Sequence, residues 1–448
     1  MVTRAAARSA GHLLGGVRGT MLHLDGLWHA RVARGKRPDM DEVNLHRLIA
    51  LVAFAGTYLG LALGRLPLFR VDRTGVAIIG GAVVVVSGVV SWDRAVAAVD
   101  AHTLVLLFGM MIVAAYLRLS GFFRLVTYAA VRRAHTPVGL LALIVGAAGL
   151  LSALFVNDVI CLVMAPIVLD LVRQLRLPPQ PYLIALATAA NVGSVATLTG
   201  NPQNMLVGSF SDIGYRTFLA REAPVAVIGL ALVFGVIWLA YRRRLPPALP
   251  AVDLEDRFAV HRALMIKTIA AVSVMLIAFL AGVPIALVAI GGAAYCLLTR
   301  RVNPEKVYRE IDWGLLVLFT GLFVVIAGVE ASGLAEELLG WAAAIGLYRP
   351  AVLTVVTAAL SNLVSNVPAV LLFKTLIPTF GEPIRAWLLL AMASTLAGNL
   401  TVLGSVANLI VVEQARGAGI QIGFVEYSKV GVPVTLLTLL VGWLLLIL

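Results

Sequence analysis

Charged residues make up only 13% of this chain, against roughly 25% in an ordinary soluble domain. So few charges cannot cover a water-facing surface, which excludes a soluble enzyme or binding domain. Cysteine is scarcer still. Cys161 and Cys296 each lie inside an apolar run, so there is no disulfide framework and no zinc cluster. Each reads as a small buried hydrophobe. Of the seven histidines, four fall in the first 46 residues and the rest are scattered. There is no Walker loop, HExxH or CxxC, which argues against an ATPase and a metalloenzyme. A membrane enzyme would need paired acids or a His–acid cluster at membrane depth, and only Asp158 reads as an intramembrane acid. The first 47 residues lack the compact apolar core and cleavage site of a secretory signal. They carry Arg4, Arg8, Arg18, Arg31, Arg34, Lys36, Arg37 and Arg47, and read as a basic arm.

What is abundant is apolar surface: 60% of residues are hydrophobic and mean hydropathy is +0.97. That describes a polytopic membrane protein. The net charge of +12 comes with no nucleic-acid motif, and the basic residues fall between apolar runs, as membrane topology requires. Runs long enough to span lie at about 48–66, 75–91, 101–117, 182–210 and 223–240, then at about 264–281, 283–299, 314–330, 386–412 and 430–448. Two others, about 138–169 and 350–378, are too long for one span and polar at the middle. They read as re-entrant hairpins.

The two sets of runs repeat each other. Asp100 through Ser120-Gly121 returns 212 positions later as Asp312 through Ser332-Gly333, with Gly109 falling on Gly321. Leu151-Ser152, Leu154 and Asn157 return 209 later as Leu360-Ser361, Leu363 and Asn366. Thr197, Gly200 and Asn204 return 204 later as Thr401, Gly404 and Asn408. With a hairpin in each half, the crossings per half are odd, so the second half is inverted. The expected fold is an all-α polytopic membrane protein of two inverted repeats. Each has about five transmembrane helices plus a re-entrant helical hairpin, with broken helices at mid-membrane. The expected divisions are a basic arm at 1–47, a first repeat at 48–240, a basic cytoplasmic linker at 241–263 and a second repeat at 264–448.

Most Lys and Arg, including Arg242-Arg243-Arg244, fall on one side if residue 47 lies outside. Apart from the arm, Arg94, Arg216, Arg221, Arg349 and Arg385 fall opposite. The arm then sits on the wrong side, so either it crosses or dips near residues 10–30 or the first run is not a simple span. The expected location is the inner (plasma) membrane, multi-pass.

Four polar breaks interrupt apolar segments, two in each half. Irregular backbone at membrane depth is tolerated only where it lines a cavity or is buried in protein. The hairpin tips carry Asn157-Asp158 and Ser361-Asn362-Leu-Val-Ser365-Asn366, and new helices are expected to start at Asn157 and Asn366. In "SVATLTGNPQN" (194–204), Gly200 reads as a stop, and Asn201-Pro202 as an N-cap and first helical residue. Its partner, "GNLTVLGSVAN" (398–408), has Ser405 in the place of Asn201. Helix N-termini meeting at mid-membrane suit an anion, and freed carbonyls with Ser, Thr and Asn oxygens suit a small cation. The expected solute ligands are Asn157, Thr197, Thr199, Asn201, Asn204, Ser365, Asn366, Thr401, Ser405 and Asn408. Asp158, whose repeat mate is Val367, is expected to handle the coupling ion.

"FVNDVICLVMAPIV" (155–168), "TGNPQNMLVG" (199–208), "SNLVSNVPAVLL" (361–372) and "LTVLGSVANLIVVE" (400–413) resemble the ion transporter superfamily of arsenite permeases, NhaD-type sodium/proton antiporters and divalent anion:sodium symporters. The Asn-Asp hairpin and the Gly-Asn-Pro-Gln-Asn break look closest to the arsenite-permease and bacterial anion-permease branch. The resemblance covers roughly residues 48–448. It implies an inverted-repeat transport domain, often a homodimer, moving substrate by an elevator-like motion. It also implies solute and sodium ligands at the hairpin tips, here Asn157 and Ser365-Asn366. In the symporters those tips carry Ser-Asn-Thr. Here they read Val-Asn-Asp and Ser-Asn-Val-Pro, which leaves room for proton coupling through Asp158.

The expected function is therefore a permease for a small inorganic or organic anion or an arsenite-like solute. It would be a symporter or antiporter driven by protons or sodium. The alternative is a sodium/proton antiporter on the same scaffold. No cofactor is expected beyond that coupling ion, with any sodium near Asn157, Asp158 and Asn366; no resident metal, nucleic acid or enzymatic activity is expected.

Overall fold

The computed structural model describes residues 40–64, 70–249 and 260–448. Among them the secondary structure is twenty α-helices with two short 3-10 turns. The first repeat runs α1 (Met40–Leu63), α2 (Arg73–Val86), α3 (Trp92–Ala98), α4 (Ala101–Ser120), α5 (Phe122–Arg133), α6 (Pro137–Leu154), α7 (Asn157–Gln174), α8 (Pro179–Ser194), α9 (Pro202–Phe210) and α10 (Tyr215–Tyr241). The second runs α11 (Arg262–Leu280), α12 (Ile285–Leu297), α13 (Pro304–Tyr308), α14 (Trp313–Ala331), α15 (Leu334–Ala344), α16 (Pro350–Val364), α17 (Asn366–Phe373), α18 (Pro383–Ala397), α19 (Val406–Gly417) and α20 (Phe424–Ile447). Each helix of the first repeat thus has its counterpart ten helices later.

The repeated Asp and Gly of the sequence turn out to be helix ends. Asp100 and Asp312 cap α4 and α14 by accepting from the amides of Thr103 and Leu315. Gly121 and Gly333, at φ 84° and 75°, take the left-handed turn that releases the chain at the other end. Among the described residues, seven helices are long and apolar enough to cross a membrane: those at 43–63, 101–120, 137–154, 215–241, 262–280, 313–331 and 424–447. The two long polar-centred runs are hairpins, α6–α7 and α16–α17, as expected. The run at 182–210 is a broken crossing, α8 then α9, and its mate is α18 then α19. Both free cysteines are buried.

The N-terminal arm, with any crossing near 10–30, lies outside the described residues except at 40–47, which open α1 as helix. Ile49–Leu448 forms one unit. Residues 250–259 of the 241–263 linker are likewise outside the description.

Close backbone contacts join the repeats and obey the same symmetry. A Cβ on Gly109 of α4 would lie 2.7 Å from the carbonyl carbon of Ala289 on α12. A Cβ on its mate Gly321 of α14 would lie 2.7 Å from that of Ala77 on α2. Ala77 and Ala289 are themselves mates. Glycine permits this approach, and small residues are how membrane helices pack when lipid is as apolar as leucine. Each hairpin's returning arm also crosses to the other repeat: α7 packs on α19, and α17 on α9. Gly109→Ala and Gly321→Ala are each expected to cost about 1–3 kcal/mol by overpacking. Thermal unfolding of the purified protein in detergent should show similar losses for both. A loss at only one of the two would contradict the symmetric packing.

Candidate functional site

The first break is built by one glycine and two asparagines. After α8 ends at Ser194 the chain folds back over its own end. A Cβ on Gly200 would sit 2.8 Å from Ser194 Cα, closer than real Cβ atoms come. Asn201 caps α9, its Oδ1 accepting from the Asn204 amide at 2.8 Å, and Pro202 is the first helical residue. The Asn204 side chain donates to the carbonyls of Ser194 (3.1 Å), Val195 (3.5 Å) and Thr197 (2.9 Å), which the end of α8 has freed.

The second break repeats this plan with different residues. Ser405 caps α19, accepting from the Ala407 amide at 3.2 Å. Asn408 Nδ2 donates to the carbonyls of Gly398 (2.8 Å) and Thr401 (3.1 Å). A Cβ on Gly404 would lie 2.8 Å from Gly398 O, the equivalent close approach. Missing its proline, this helix still breaks.

Two buried residues tie the repeats together across these breaks. Asn191 of α8 donates to Asn399 Oδ1 (2.8 Å) and Asn408 Oδ1 (3.1 Å), and accepts from Ser405 Oγ (3.0 Å) and Asn157 Nδ2 (2.8 Å). Its mate, Thr395 of α18, accepts from Asn201 Nδ2 (3.2 Å) and Gln203 Nε2 (3.0 Å). Each repeat's break is therefore held by the other repeat's helix. The cluster is made of amides and hydroxyls.

The first hairpin tip joins it directly. The Asn157 amide donates to Gly200 O at 3.0 Å. Helices do begin at Asn157 and Asn366, but neither hairpin start has a side-chain cap. The N-cap positions fall on Val156 and Ser365, one residue earlier, because the Asn157 amide is spent on Gly200 and the Asn157 side chain on Asn191. Asp158 is half-buried in the first turn of α7, the hairpin arm that packs on α19.

The second tip is held separately. Ser361 Oγ lies 2.6 Å from Asn366 Oδ1 and 2.8 Å from Ser394 O. Asn362 Nδ2 donates to Ala397 O at 2.8 Å. Ser365 has φ 79° and ψ 162°, a region costing other residues than glycine about 1–3 kcal/mol.

The structure brings together Asn157, Asn201, Asn204, Ser405 and Asn408. Thr197 and Thr199 lie beside them, buried. Thr197 Oγ1 donates to Ala153 O and contacts Thr199 Oγ1 at 3.3 Å. Thr199 in turn meets the Tyr215 hydroxyl at 3.4 Å. Ser365 and Asn366 do not hydrogen-bond to the amide cluster. Thr401 contributes its carbonyl and no side-chain cap. Two acceptors, Asn157 Oδ1 and Asn204 Oδ1, are buried without a partner.

Asn191, Asn399 and Thr395 are central and were missed from the sequence. A lone amide in an apolar helix looks like an ordinary interhelical bond, and the repeat hides Asn191 because its mate is a threonine. Glu222 was missed too: the apolar run was started at 223, whereas α10 begins at Tyr215 and carries Glu222 inside it.

A cavity of about 450 Å³ touches His102 and Thr103 at one end of α4 and reaches Ser209 and Tyr215. Another, of about 750 Å³, touches Arg118 at the far end, with Asp170, His261 and Glu310, and follows α7 up to Leu162, one turn from Asp158. The polar cluster thus lies on elements reached from both ends of a helix about 30 Å long. Asp170 is exposed, at the hairpin's open end.

Comparison with known proteins agrees with this architecture. The family model described as citrate transporter matches residues 51–397. The silicon efflux transporter LSI3 of Oryza sativa subsp. japonica is 31% identical, over 87% of this chain and 96% of its own length. The putative transporter arsB of Dictyostelium discoideum is 23% identical, over 83% and 86%. The crystal structure of the YdaH transporter of Alcanivorax borkumensis superposes with a TM-score of 0.57 at 17% identity, covering 91% of this chain and 98% of that one, and so shares the fold. With two inverted repeats, a broken helix in each and a family model matching most of its length, the chain belongs to the citrate transporter family and is a multi-pass membrane transporter.

Proposed function

We propose that this chain is a secondary active permease of the inner (plasma) membrane, working as a homodimer and moving a small oxyacid or oxyanion by an elevator-type motion driven by protons or sodium. The observation that carries this reading is the amide cluster set between cavities at the two ends of α4. Amides and hydroxyls offer both donors and acceptors, which suits a polyhydroxy oxo solute of the silicic or arsenous acid kind. The names of LSI3 and arsB are in keeping with that chemistry. A multiply charged carboxylate is served less well, because the hydrogen bonds of the cluster seen among the described residues come from amides and hydroxyls, with positive charge offered by helix N-termini. Asn157, Asn201, Asn204, Ser405 and Asn408 would frame the solute, with Thr197, Thr199 and Thr401 behind them. Ser365 and Asn366 would close the site from the second hairpin, and the strained turn at Ser365 suits a segment that changes shape during the cycle.

Asp158 would handle the coupling ion. It lies one turn from the larger cavity, and α7, which carries it, packs on α19 of the second break. A second reading, sodium/proton antiport, is favoured by the unpartnered oxygens Asn157 Oδ1 and Asn204 Oδ1, neutral acceptors suited to a monovalent cation.

Flux into proteoliposomes across silicic acid, arsenite, citrate and sodium, with and without a proton gradient, tests the whole reading. Uptake of sodium against protons with no oxo solute moved would select the antiporter. Asp158→Asn is expected to abolish gradient-driven accumulation while leaving solute exchange partly intact; unchanged accumulation would remove Asp158 from coupling. Asn201→Ala and Asn408→Ala should each weaken solute binding by about 1–3 kcal/mol, roughly five- to 150-fold in Kd, since each leaves buried partners unpaired. An effect confined to one of the two would mean the solute sits in one repeat alone.

A further inference from the structure

Glu222 is wholly buried inside α10, and neither of its carboxylate oxygens has a hydrogen-bond partner. Its surroundings follow from the residues seven before and seven after it, which share its helical face. Tyr215 places its hydroxyl 3.4 Å from Thr199 Oγ1. Gly229 lies against α8, where a Cβ would come 2.6 Å from Val192 Cγ1. Glu222, between them, faces the stretch from Val192 to Thr199, which is the end of α8 and the first break.

The repeat places it there independently. The N-caps Gly214 and Gly423, and the internal prolines Pro224 and Pro433, align α10 with α20 and put Glu222 on Gly431. A Cβ on Gly431 would lie 3.1 Å from the carbonyl of Leu400 and closer still to that of Asn399, in the second break. One repeat thus sets a glycine against its break where the other sets a carboxyl group.

Nothing near Glu222 neutralises it. The helices packed on α10 are α6, α8, α11, α18 and α20. Their titratable groups are Tyr182, Arg262, Lys267, Arg385, Glu426, Tyr427 and Lys429. Arg385 is paired with Glu382. Lys267 is bound to the carbonyls of Cys296 and Leu298. Glu426 bonds Tyr241 and Arg244 at the far end of α10. Among the described residues no ion pair or hydrogen bond reaches the Glu222 carboxyl, and Arg216 and Arg221 on its own helix are exposed. An ionised carboxylate buried without a partner forfeits several kcal/mol of hydration. A protonated one carries no net charge and has an O–H to give.

We propose that Glu222 is a proton-carrying residue of the transport cycle, distinct from Asp158, which takes up and releases a proton as the first break moves against α10. This rests on the permease reading. The cavity lined by Tyr215 lies two turns away along the same helix face. The O–H bond made from water on one side of the membrane is broken to water on the other. The net result is one proton moved, with no further reactant.

Two measurements test this. Infrared difference spectra of purified wild-type protein in lipid should contain the C=O stretch of a protonated carboxylic acid that shifts in D2O and weakens as pH is raised. The band should be missing from Glu222→Gln, present in Asp158→Asn and displaced in Glu222→Asp. In proteoliposomes, Glu222→Gln should lose accumulation of silicic acid or arsenite driven by a pH gradient yet keep exchange, with accumulation partly restored in Glu222→Asp. Undiminished gradient-driven accumulation in Glu222→Gln, or a wild-type spectrum without a pH-sensitive carboxyl band, would overturn the proposal. If the wild type moves no solute of the panel, the permease reading fails. The wild-type band, and its displacement in Glu222→Asp should Glu222→Gln not fold, then decides Glu222 by itself.

Discussion

The side-chain amide of Asn204 lets a membrane segment break. A helix that stops at mid-membrane frees carbonyls that lipid cannot satisfy, each at a cost of several kcal/mol. Asn204 donates to three carbonyls at the end of α8, and Asn408 to two after α18. A shorter side chain could not reach back over that turn. A carboxylate would present acceptors where donors are needed. The glycines at 200 and 404 exist for the same geometry, since a Cβ at either would strike the backbone being covered. With these carbonyls answered, the helix starts at Pro202 and Val406 are free to present their amide ends inside the protein.

From that constraint follows the way the repeats grip each other. The caps Asn201 and Ser405 have hydrogen-bonding capacity left after capping their helices, and it is used across the pseudo-twofold, on Thr395 and Asn191 respectively. The hairpin arms α7 and α17 cross over in the same sense. The second hairpin is anchored separately, through Ser361 and Asn362 to α18 and through Pro368 to Tyr58.

Much of this was legible in the sequence because polar residues are costly in an apolar run and so stand out. The four breaks, the repeat, the Asn201-Pro202 helix start and the matching of Gly109 with Gly321 all rest on such contrasts. What stayed hidden lacked contrast or lacked symmetry. Asn191 sits in helix with no glycine or proline beside it, and only its four partners in space reveal a hub. Asn399 has Val195 as its mate, so the repeat offers no pointer. Glu222 lay next to the basic Arg221, just outside the apolar run taken to start at 223, although α10 extends two turns further and buries it. The hairpin starts were placed correctly, but their asparagines are spent on other partners. Capping preferences say nothing about competing tertiary bonds.

The departures from symmetry are themselves informative. The break-forming residues obey the twofold: Asn204 with Asn408, Gly200 with Gly404, Asn157 with Asn366. So do the helix-capping acids Asp100 and Asp312. Two acids depart from it: Asp158 stands opposite Val367, and Glu222 opposite Gly431, so both belong to the first repeat alone. A structural acid needed for folding would have the same work to do in both halves, since the two breaks have the same geometry. An acid that handles an ion need occur only once along the ion's path. On the proposed permease reading, the symmetric residues would build the walls of the site, and the asymmetric Asp158 and Glu222 would be where a driving ion binds.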